Sequence, residues 1–171
     1  MNSKTTRLRY LTLSGLFVAI VFVLTAYLHI PSHTGYIHIG DSVIYLAAAL
    51  LPRPYAIAVG ALGAGLADCL TGYAIWAPGS AMIKATTVLC FSCHGERIIN
   101  LRNLTAIIPS GILCVGGYYL YEGLITRNFT APLAGIPGNI TQFLFSSILY
   151  VVLGLALDKL RFKDRLMATH P

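Results

Sequence analysis

The feature that most constrains this sequence is a series of long apolar segments separated by short polar stretches. Leu11–Leu28 is one such segment, and it follows the basic residues Lys4, Arg7 and Arg9. The hydrocarbon core of a bilayer is about 30 Å thick and needs roughly 20 residues of helix to cross it. The segment has no small-residue cleavage site before a polar mature region, so we predict a retained membrane helix rather than a signal peptide.

The composition supports a membrane protein over a soluble one. Hydrophobic residues make up 56% of the 171 residues and charged residues 11%, whereas soluble domains carry about 25% charged residues. The mean hydropathy is +0.72. A soluble domain of this size leaves a large part of its surface in water and cannot bury this much apolar material.

Prolines and polar stretches divide the chain into six predicted helices. Pro52 and Pro54 force a tight turn after the short apolar segment Asp41–Leu51, because proline disfavours helix at the residue before it. Pro137 suits the first turn of the last helix, and the polar stretch His29–Gly40 is expected to be an outer loop. We predict one all-α domain over residues 1–171, a compact bundle of transmembrane helices at about 8–28, 41–51, 55–71, 78–93, 104–124 and 137–157.

The basic residues are distributed unevenly between the predicted loops. Ten of the twelve Lys and Arg residues fall on the side that carries both termini, only Arg127 falls on the other side, and Lys84 lies inside a span. The positive-inside rule therefore predicts a multi-pass cell-membrane protein with cytoplasmic N- and C-termini. The net charge of +6 then follows from topology, and a nucleic-acid partner is not expected.

Ionisable residues inside predicted spans are costly to bury and are candidates for function. Asp68, Lys84 and Glu122 all fall in the outer half of the membrane in this topology, with other polar and aromatic residues at the same level. One apolar-walled pocket with several polar groups is typical of small-molecule sites. The candidate ligand-binding residues are Tyr36, His38, Asp41, Asp68, Tyr73, Trp76, Lys84, Glu122, Asn139 and Gln142.

Structural roles for the same residues remain open at this point. Asp68 and Lys84 are also suited to a structural ion pair, and Glu122 to an interface facing water. Tyr73 and Trp76 fit an aromatic belt. Asp41 fits the N-cap position of its helix, where its carboxylate would accept free backbone N–H groups.

Cys90-Phe91-Ser92-Cys93-His94 formally matches the haem c attachment pattern. The topology places it on the cytoplasmic side, without an evident second axial ligand, so we favour helix-end residues over haem, zinc or a redox pair. The chain also lacks H-E-x-x-H, G-x-S-x-G and a nucleotide-binding loop. We therefore expect no enzymatic activity, no metal site and no cofactor held by this chain.

Small residues mark two helix faces that allow close packing. Gly60 and Ala64 lie four residues apart in the third predicted helix, and Gly15 and Ala19 have the same spacing in the first, beside Ser14. Such small-x-x-x-small faces let helices approach closely in membranes.

Five stretches together resemble the substrate-binding S-components of bacterial energy-coupling factor (ECF) vitamin transporters, in the riboflavin-type or hydroxymethylpyrimidine/pyridoxine-type branch. They are residues 35–41 (GYIHIGD), 66–73 (LADCLTGY), 76–84 (WAPGSAMIK), 121–122 (YE) and 136–142 (IPGNITQ). The resemblance implies a six-helix fold that holds a vitamin between outer loops and helices four to six.

The resemblance also implies partners. It implies coupling to a membrane scaffold, the T-component, and to two cytoplasmic ATPases that use the ATP. The family's docking motif Ala-x-x-x-Ala reads Gly15-x-x-x-Ala19 here, so Ser14, Gly15 and Ala19 are the expected docking residues.

The charges of the site residues bear on the ligand. Asp68, Lys84 and Glu122 sum to one net negative charge when ionised, and an unpaired buried charge is costly. We therefore expect a neutral or weakly basic heteroaromatic ligand, of pyrimidine, pyridoxine-like or deazapurine type, rather than biotin, folate or pantothenate. The alternatives to this function are a small standalone secondary carrier or channel and a structural or haem-bearing membrane subunit.

Overall fold

The computed structural model describes residues 3–32 and 35–167, with side chains for residues 4–30 and 37–166. These residues form a helical bundle with one β-hairpin and one 3₁₀ helix, Ala131–Gly135. The strands are β1 (His29–Ser32) and β2 (Gly35–His38). The helices are α1 (Ser3–Ala26), α2 (Gly40–Leu50), α3 (Arg53–Leu70), α4 (Ala77–Val88), α5 (Leu101–Thr126), α6 (Ile136–Lys159) and α7 (Phe162–Met167).

Helix α2 is the centre of the bundle. All 11 of its residues are buried, and α1, α3, α4 and α6 pack around it. A helix that is apolar on every side is stable only inside a protein or a membrane. The short segment Asp41–Leu51 is therefore an interior helix enclosed by longer ones, and its N-terminus brings Asp41 into the protein interior.

Three helical segments, Lys4–Ala26, Leu101–Thr126 and Ala131–Lys159, are long and apolar enough to cross a membrane. Large apolar side chains on these segments, such as Leu16, Ile112 and Ile148, point away from the bundle and are more than half exposed. Helices occupy all six predicted segments, but α4 ends at Val88, five residues before the predicted end at 93. Residues 89–100 form a loop instead.

Residues 29–32 and 35–38, in the stretch expected to be an outer loop, pair as the two strands of a hairpin. β1 and β2 pair antiparallel, with His29 opposite His38 and Ile30 opposite Ile37. The alternation of apolar and polar residues from Tyr36 to Ile39 matches the two-residue period of a strand. The hairpin leads directly into α2 and lies at the end of the bundle that carries Asp41.

The opposite end of the bundle holds the start of α1, helix α7 and the 89–100 loop. The Arg9 guanidinium donates to the Arg165 carbonyl over 3.1 Å, which brings α1 and α7 together. Buried Lys163 donates from Nζ to the carbonyls of Ala49 (3.1 Å) and Gly95 (2.6 Å). The bond to Ala49 satisfies a carbonyl that the end of α2 leaves without a helical partner.

Side chains from α5 and α6 also hold the 89–100 loop in place. The Asn103 amide accepts from Ser92 N (2.9 Å) and donates to the carbonyls of Ser92 and Ile98 (both 3.0 Å). The Asp158 carboxylate accepts from the backbone N–H groups of residues 98 and 99 over 2.8 and 2.9 Å. Cys90, Cys93 and His94 belong to this clamped loop and not to a helix end.

Gly60 permits the close packing predicted for α3. A Cβ at Gly60 would lie 3.0 Å from the backbone carbonyl oxygen of Lys84 on α4, and Ala64, one turn later, is also buried. Because α4 approaches this closely, Lys84 is held against the centre of the bundle.

Candidate functional site

The centre of the candidate site is an ion pair between Asp41 and Lys84. Lys84 Nζ lies 2.8 Å from Asp41 Oδ2, and both side chains are 1% exposed. Asp41 is therefore not the helix N-cap, which is Ile39; the carboxylate points inward instead. The suggested Asp68–Lys84 pair is also wrong, since Lys84 pairs with a residue 43 positions away in the chain.

Helix α5 completes the surroundings of the Lys84 ammonium group. Lys84 Nζ also donates to Cys114 Sγ over 3.2 Å and lies 5.0 Å from the centroid of the Tyr118 ring. The negative face of an aromatic ring attracts a cation at this distance. The Tyr118 hydroxyl in turn shares a hydrogen bond of 2.9 Å with Ser80 on α4.

Gln142 links the ion pair to the hairpin. Its Nε2 donates to Asp41 Oδ2 over 3.0 Å, and its Oε1 accepts from the His38 backbone N–H over 3.3 Å. A carboxylate only accepts and an N–H only donates, so these two partners fix the orientation of the amide. Ser146, one turn further along α6, donates to the His38 carbonyl over 3.5 Å.

His38 is buried at the junction of β2 and α2. The Gly40 N–H donates to its Nδ1 over 3.1 Å, so Nδ1 acts as an acceptor and the neutral ring carries its proton on Nε2. Burial lowers the pKa of His38 from 6.5 to about 4, with Asp41 opposing the shift and Lys84 and His29 adding to it. The imidazole is therefore neutral at pH 7.

The aromatic candidates lie at the same end of the bundle as the hairpin. The half-buried Trp76 ring packs against Tyr118 (6.4 Å between centroids) and Tyr121 (6.0 Å). The Tyr121 hydroxyl donates to the Ile75 carbonyl over 2.7 Å, which fastens the turn before α4 to α5. Tyr73 is half-buried in that turn. These rings form an aromatic layer next to the polar cluster.

The remaining candidates lie outside the Asp41–Lys84–Gln142 cluster. Asp68 is buried and within electrostatic range of Tyr118. Glu122 is 7% exposed, and Asn139 is half-buried at the start of α6. No described residue forms a hydrogen bond with the side chain of Glu122 or Asn139. The side chain of Tyr36 lies outside the described residues.

The expected docking residues on α1 face in two directions. Gly15 and Ala19 are exposed, and a Cβ at Gly15 would meet nothing within 4 Å. Ser14 is buried, and its hydroxyl donates to the Tyr10 carbonyl over 2.7 Å. The exposed small-residue face therefore contains Gly15 and Ala19 but not Ser14.

Sequence reasoning missed the contribution of α5 to this cluster. Ser110, Cys114, Tyr118 and Glu122 recur every four residues, so they lie along one side of the helix. Ser110 and Cys114 are fully buried. A polar residue at every fourth position of an otherwise apolar helix was the signal that identifies this inward-facing stripe.

A concave region lies at the end of the bundle opposite the Asp41–Lys84 pair. This cavity of about 730 Å³ is lined by charged residues of the 89–100 loop and the ends of α6 and α7, among them Arg97, Asp158 and Lys163. Asp158 and Lys163 are already bonded to backbone groups there. In the described part of the chain, no three His, Cys, Asp or Glu side chains lie close enough together to hold a metal ion.

Comparisons with known proteins agree on the family and fold. Residues 5–159 match the family described as "ECF-type riboflavin transporter, S component". A solved structure described as "Structure and mechanism of the S component of a bacterial ECF transporter" superimposes with a TM-score of 0.69. The two chains are 19% identical, and the match covers 90% of this chain and 98% of the other. No curated protein sequence matches.

Proposed function

Because the chain belongs to the ECF-type riboflavin transporter S component family, we propose that it is the high-affinity vitamin-binding subunit of an ECF-type importer. The observation that carries the proposal is the buried Asp41–Lys84–Gln142 cluster below the hairpin. A membrane protein retains buried ionisable groups at a cost, most often where they handle a substrate. The aromatic layer around Trp76 lies beside this cluster.

The proposed ligand is an uncharged or weakly basic heteroaromatic vitamin. Lys84 is neutralised by Asp41, and the other ionisable candidates, Asp68 and Glu122, are acidic. An acidic vitamin would therefore bring a negative charge into a site without an unpaired cation among the described residues, which is costly. Riboflavin, named in the description of the family, is the first vitamin to test, followed by hydroxymethylpyrimidine, pyridoxine and deazapurines.

The proposed orientation places the hairpin outside the cell and both termini in the cytoplasm. The clamped end of the bundle, where Arg9 meets Arg165, carries ten of the twelve Lys and Arg residues along with the termini. Cytoplasmic loops are enriched in Lys and Arg. A ligand would then enter from outside, between the hairpin, the 71–76 turn and the start of α6.

The energy for uptake is proposed to come from partner proteins. Gly15 and Ala19 form an exposed small-residue face on α1, which suits close packing against a helix of a scaffold protein. In this proposal the chain binds no cofactor itself, and a T-component and two cytoplasmic ATPases complete the transporter. The chain has no nucleotide-binding loop of its own.

Binding and uptake measured on the same protein test this function. The purified chain should bind one vitamin of the heteroaromatic panel tightly, as measured by calorimetry, and should bind biotin, folate and pantothenate weakly. In proteoliposomes the chain alone should transport nothing, and co-reconstitution with a T-component and ATPases should give ATP-dependent uptake. Ion-dependent uptake by the chain alone would instead identify a small secondary carrier.

A further inference from the structure

The two oxygen atoms of the Asp41 carboxylate have very different surroundings. Oδ2 accepts from Lys84 Nζ (2.8 Å) and Gln142 Nε2 (3.0 Å), with Cys114 Sγ at 3.9 Å. Oδ1 is buried and has no hydrogen-bond partner in the part of the chain that the structure describes. A buried carboxylate oxygen normally accepts at least one hydrogen bond.

Resting on the function proposed above, we propose that Asp41 Oδ1 accepts a hydrogen bond from a ring N–H or exocyclic amine of the vitamin. Asp41 is then the specificity-determining residue of the site, with Lys84 and Gln142 as positioning residues that hold its carboxylate. The ligand class narrows to heteroaromatic rings that present a hydrogen-bond donor at their edge.

The N–H groups of Lys84 are already engaged by the protein. The ligand is therefore expected to offer a hydrogen-bond donor rather than an acceptor. The ammonium group has three N–H donors, and three groups surround it: Asp41 Oδ2, Cys114 Sγ and the face of Tyr118. The cation therefore has no donor left for a ligand carbonyl or carboxylate. The hydrogen-bonding capacity that remains at the ion pair is that of an acceptor, Oδ1.

The position of Asp41 brings this oxygen to the hairpin end of the bundle. Asp41 is the second residue of α2, three positions after the last residue of the strand β2. That strand is held to α6 through the backbone of His38, by Gln142 and Ser146. In this proposal the ligand reaches Oδ1 from the hairpin end of the bundle, between β2 and α6.

The test compares a ligand with and without the donor, in protein with and without the carboxylate. Riboflavin has one ring N–H, at N3, and 3-methylriboflavin lacks it. We expect methylation to weaken binding to the wild-type chain by about 10- to 100-fold, the usual effect of losing a hydrogen bond to a charged group. In Asp41→Asn the amide oxygen takes the place of Oδ2, because Lys84 and Gln142 both donate there, and the NH2 group takes the place of Oδ1, where it cannot accept. The two ligands should then bind within about threefold of each other.

Two further variants make the result decisive. If the single variant does not fold, Asp41→Asn is combined with Lys84→Met, which removes both charges and leaves no unpaired lysine. The double variant should likewise bind riboflavin and 3-methylriboflavin with similar affinity. Asp158→Asn makes the same chemical change at the far end of the bundle. It should lower thermal stability, because Asp158 accepts from two backbone N–H groups. The ratio of the affinities for riboflavin and 3-methylriboflavin should stay as in the wild-type chain.

Four results would overturn the inference. Equal affinity of the wild-type chain for both ligands would mean that no protein group accepts a hydrogen bond from N3–H. Equal weakening of both ligands by Asp41→Asn would leave Asp41 a structural role, with a water molecule on Oδ1. Tight binding only of panel vitamins that carry no ring N–H or amine would also overturn it, while the proposed function would stand; binding of no vitamin of the panel would overturn both.

Discussion

The polar side chains of the site differ in how much of their hydrogen-bonding capacity the protein already uses. Lys84 and Gln142 are engaged with Asp41 and the hairpin. Glu122 and Asn139 have no side-chain hydrogen bond to any described residue, although both are at least half-buried. Groups that the protein leaves unpaired are the ones a ligand can satisfy.

Glu122→Gln and Asn139→Ala should each weaken vitamin binding by about tenfold, since each removes about one polar contact to the ligand. Calorimetry on the vitamin panel measures this effect. Asn128→Ala is the matched control: Asn128 lies in the exposed loop after α5, where its side chain accepts from Thr130, and its loss should not change affinity. Tight binding of an acidic vitamin, unaffected by either site variant, would contradict the proposed ligand class.

His38 should make stability depend on pH. Burial lowers its pKa in the folded chain to about 4, whereas the ordinary pKa of a solvated histidine is 6.5, so the unfolded state binds the proton more readily. Stability should therefore fall as the pH drops from about 6.5 to 4, by about 3 kcal/mol in total. Thermal unfolding in detergent measures this loss.

The variant His38→Asn isolates the contribution of the imidazole. An Asn oxygen can still accept from the Gly40 N–H, but it does not titrate. The wild-type chain should lose stability relative to this variant as the pH falls below about 6.5, and the difference should level off below about pH 4. Parallel stability curves for the two proteins would show that His38 is not the titrating group.

At the scale of secondary structure, apolar runs and prolines predicted the helices well and the hairpin not at all. Pro137 lies in the first turn of α6, as its position in the sequence indicates. The strands of the hairpin have only four residues each, and β1 contains Pro31, which weakens a strand pattern. α4 ends early because tertiary contacts of the 89–100 loop, made by Asn103 and Asp158, replace its last predicted turn.

Gly15→Leu and Ala19→Leu should block assembly with the scaffold and leave vitamin affinity unchanged. Both positions are exposed, so a larger side chain should not disturb the bundle, but it would keep a partner helix away. Copurification with the T-component measures assembly, and calorimetry measures affinity. Ile112→Ala, on the exposed face of α5, is a control that should affect neither. If these two variants lost vitamin binding as well as assembly, this face of α1 would contribute to the fold of the chain itself.

The β1–β2 hairpin should become less mobile when the vitamin binds. Two of its hydrogen bonds to α6 run through the His38 backbone and are long, at 3.3 and 3.5 Å. Long hydrogen bonds are weak, and segments at the mouth of a site commonly close over ligands as lids. Amide exchange of residues 35–38 should slow with ligand present, while exchange in the buried helix α2 should change little. Equal exchange in both states would contradict a lid.

At the scale of the whole molecule, composition and hydropathy were enough to predict a mainly helical protein with helices apolar enough to span a membrane. They could not predict which residues pair. Asp41 and Lys84 are 43 positions apart, and Asp41 and Gln142 are 101 apart. Asp68 and Lys84, which are closer in the sequence, were equally suited to pair by residue type. The choice depends on which helices surround α2, and contacts between segments distant in the sequence decide that.

Labelling of single cysteines should establish the orientation of the bundle. The background has Cys69, Cys90 and Cys93 replaced by Ser and retains Cys114, which is fully buried. Ala131→Cys adds an exposed thiol at the hairpin end, and Arg53→Cys adds one at the end that holds the termini. Because cytoplasmic loops attract Lys and Arg, a membrane-impermeant maleimide should label Ala131→Cys in intact cells and Arg53→Cys only after permeabilisation. The reverse pattern would place the vitamin site on the cytoplasmic side and exclude capture from outside.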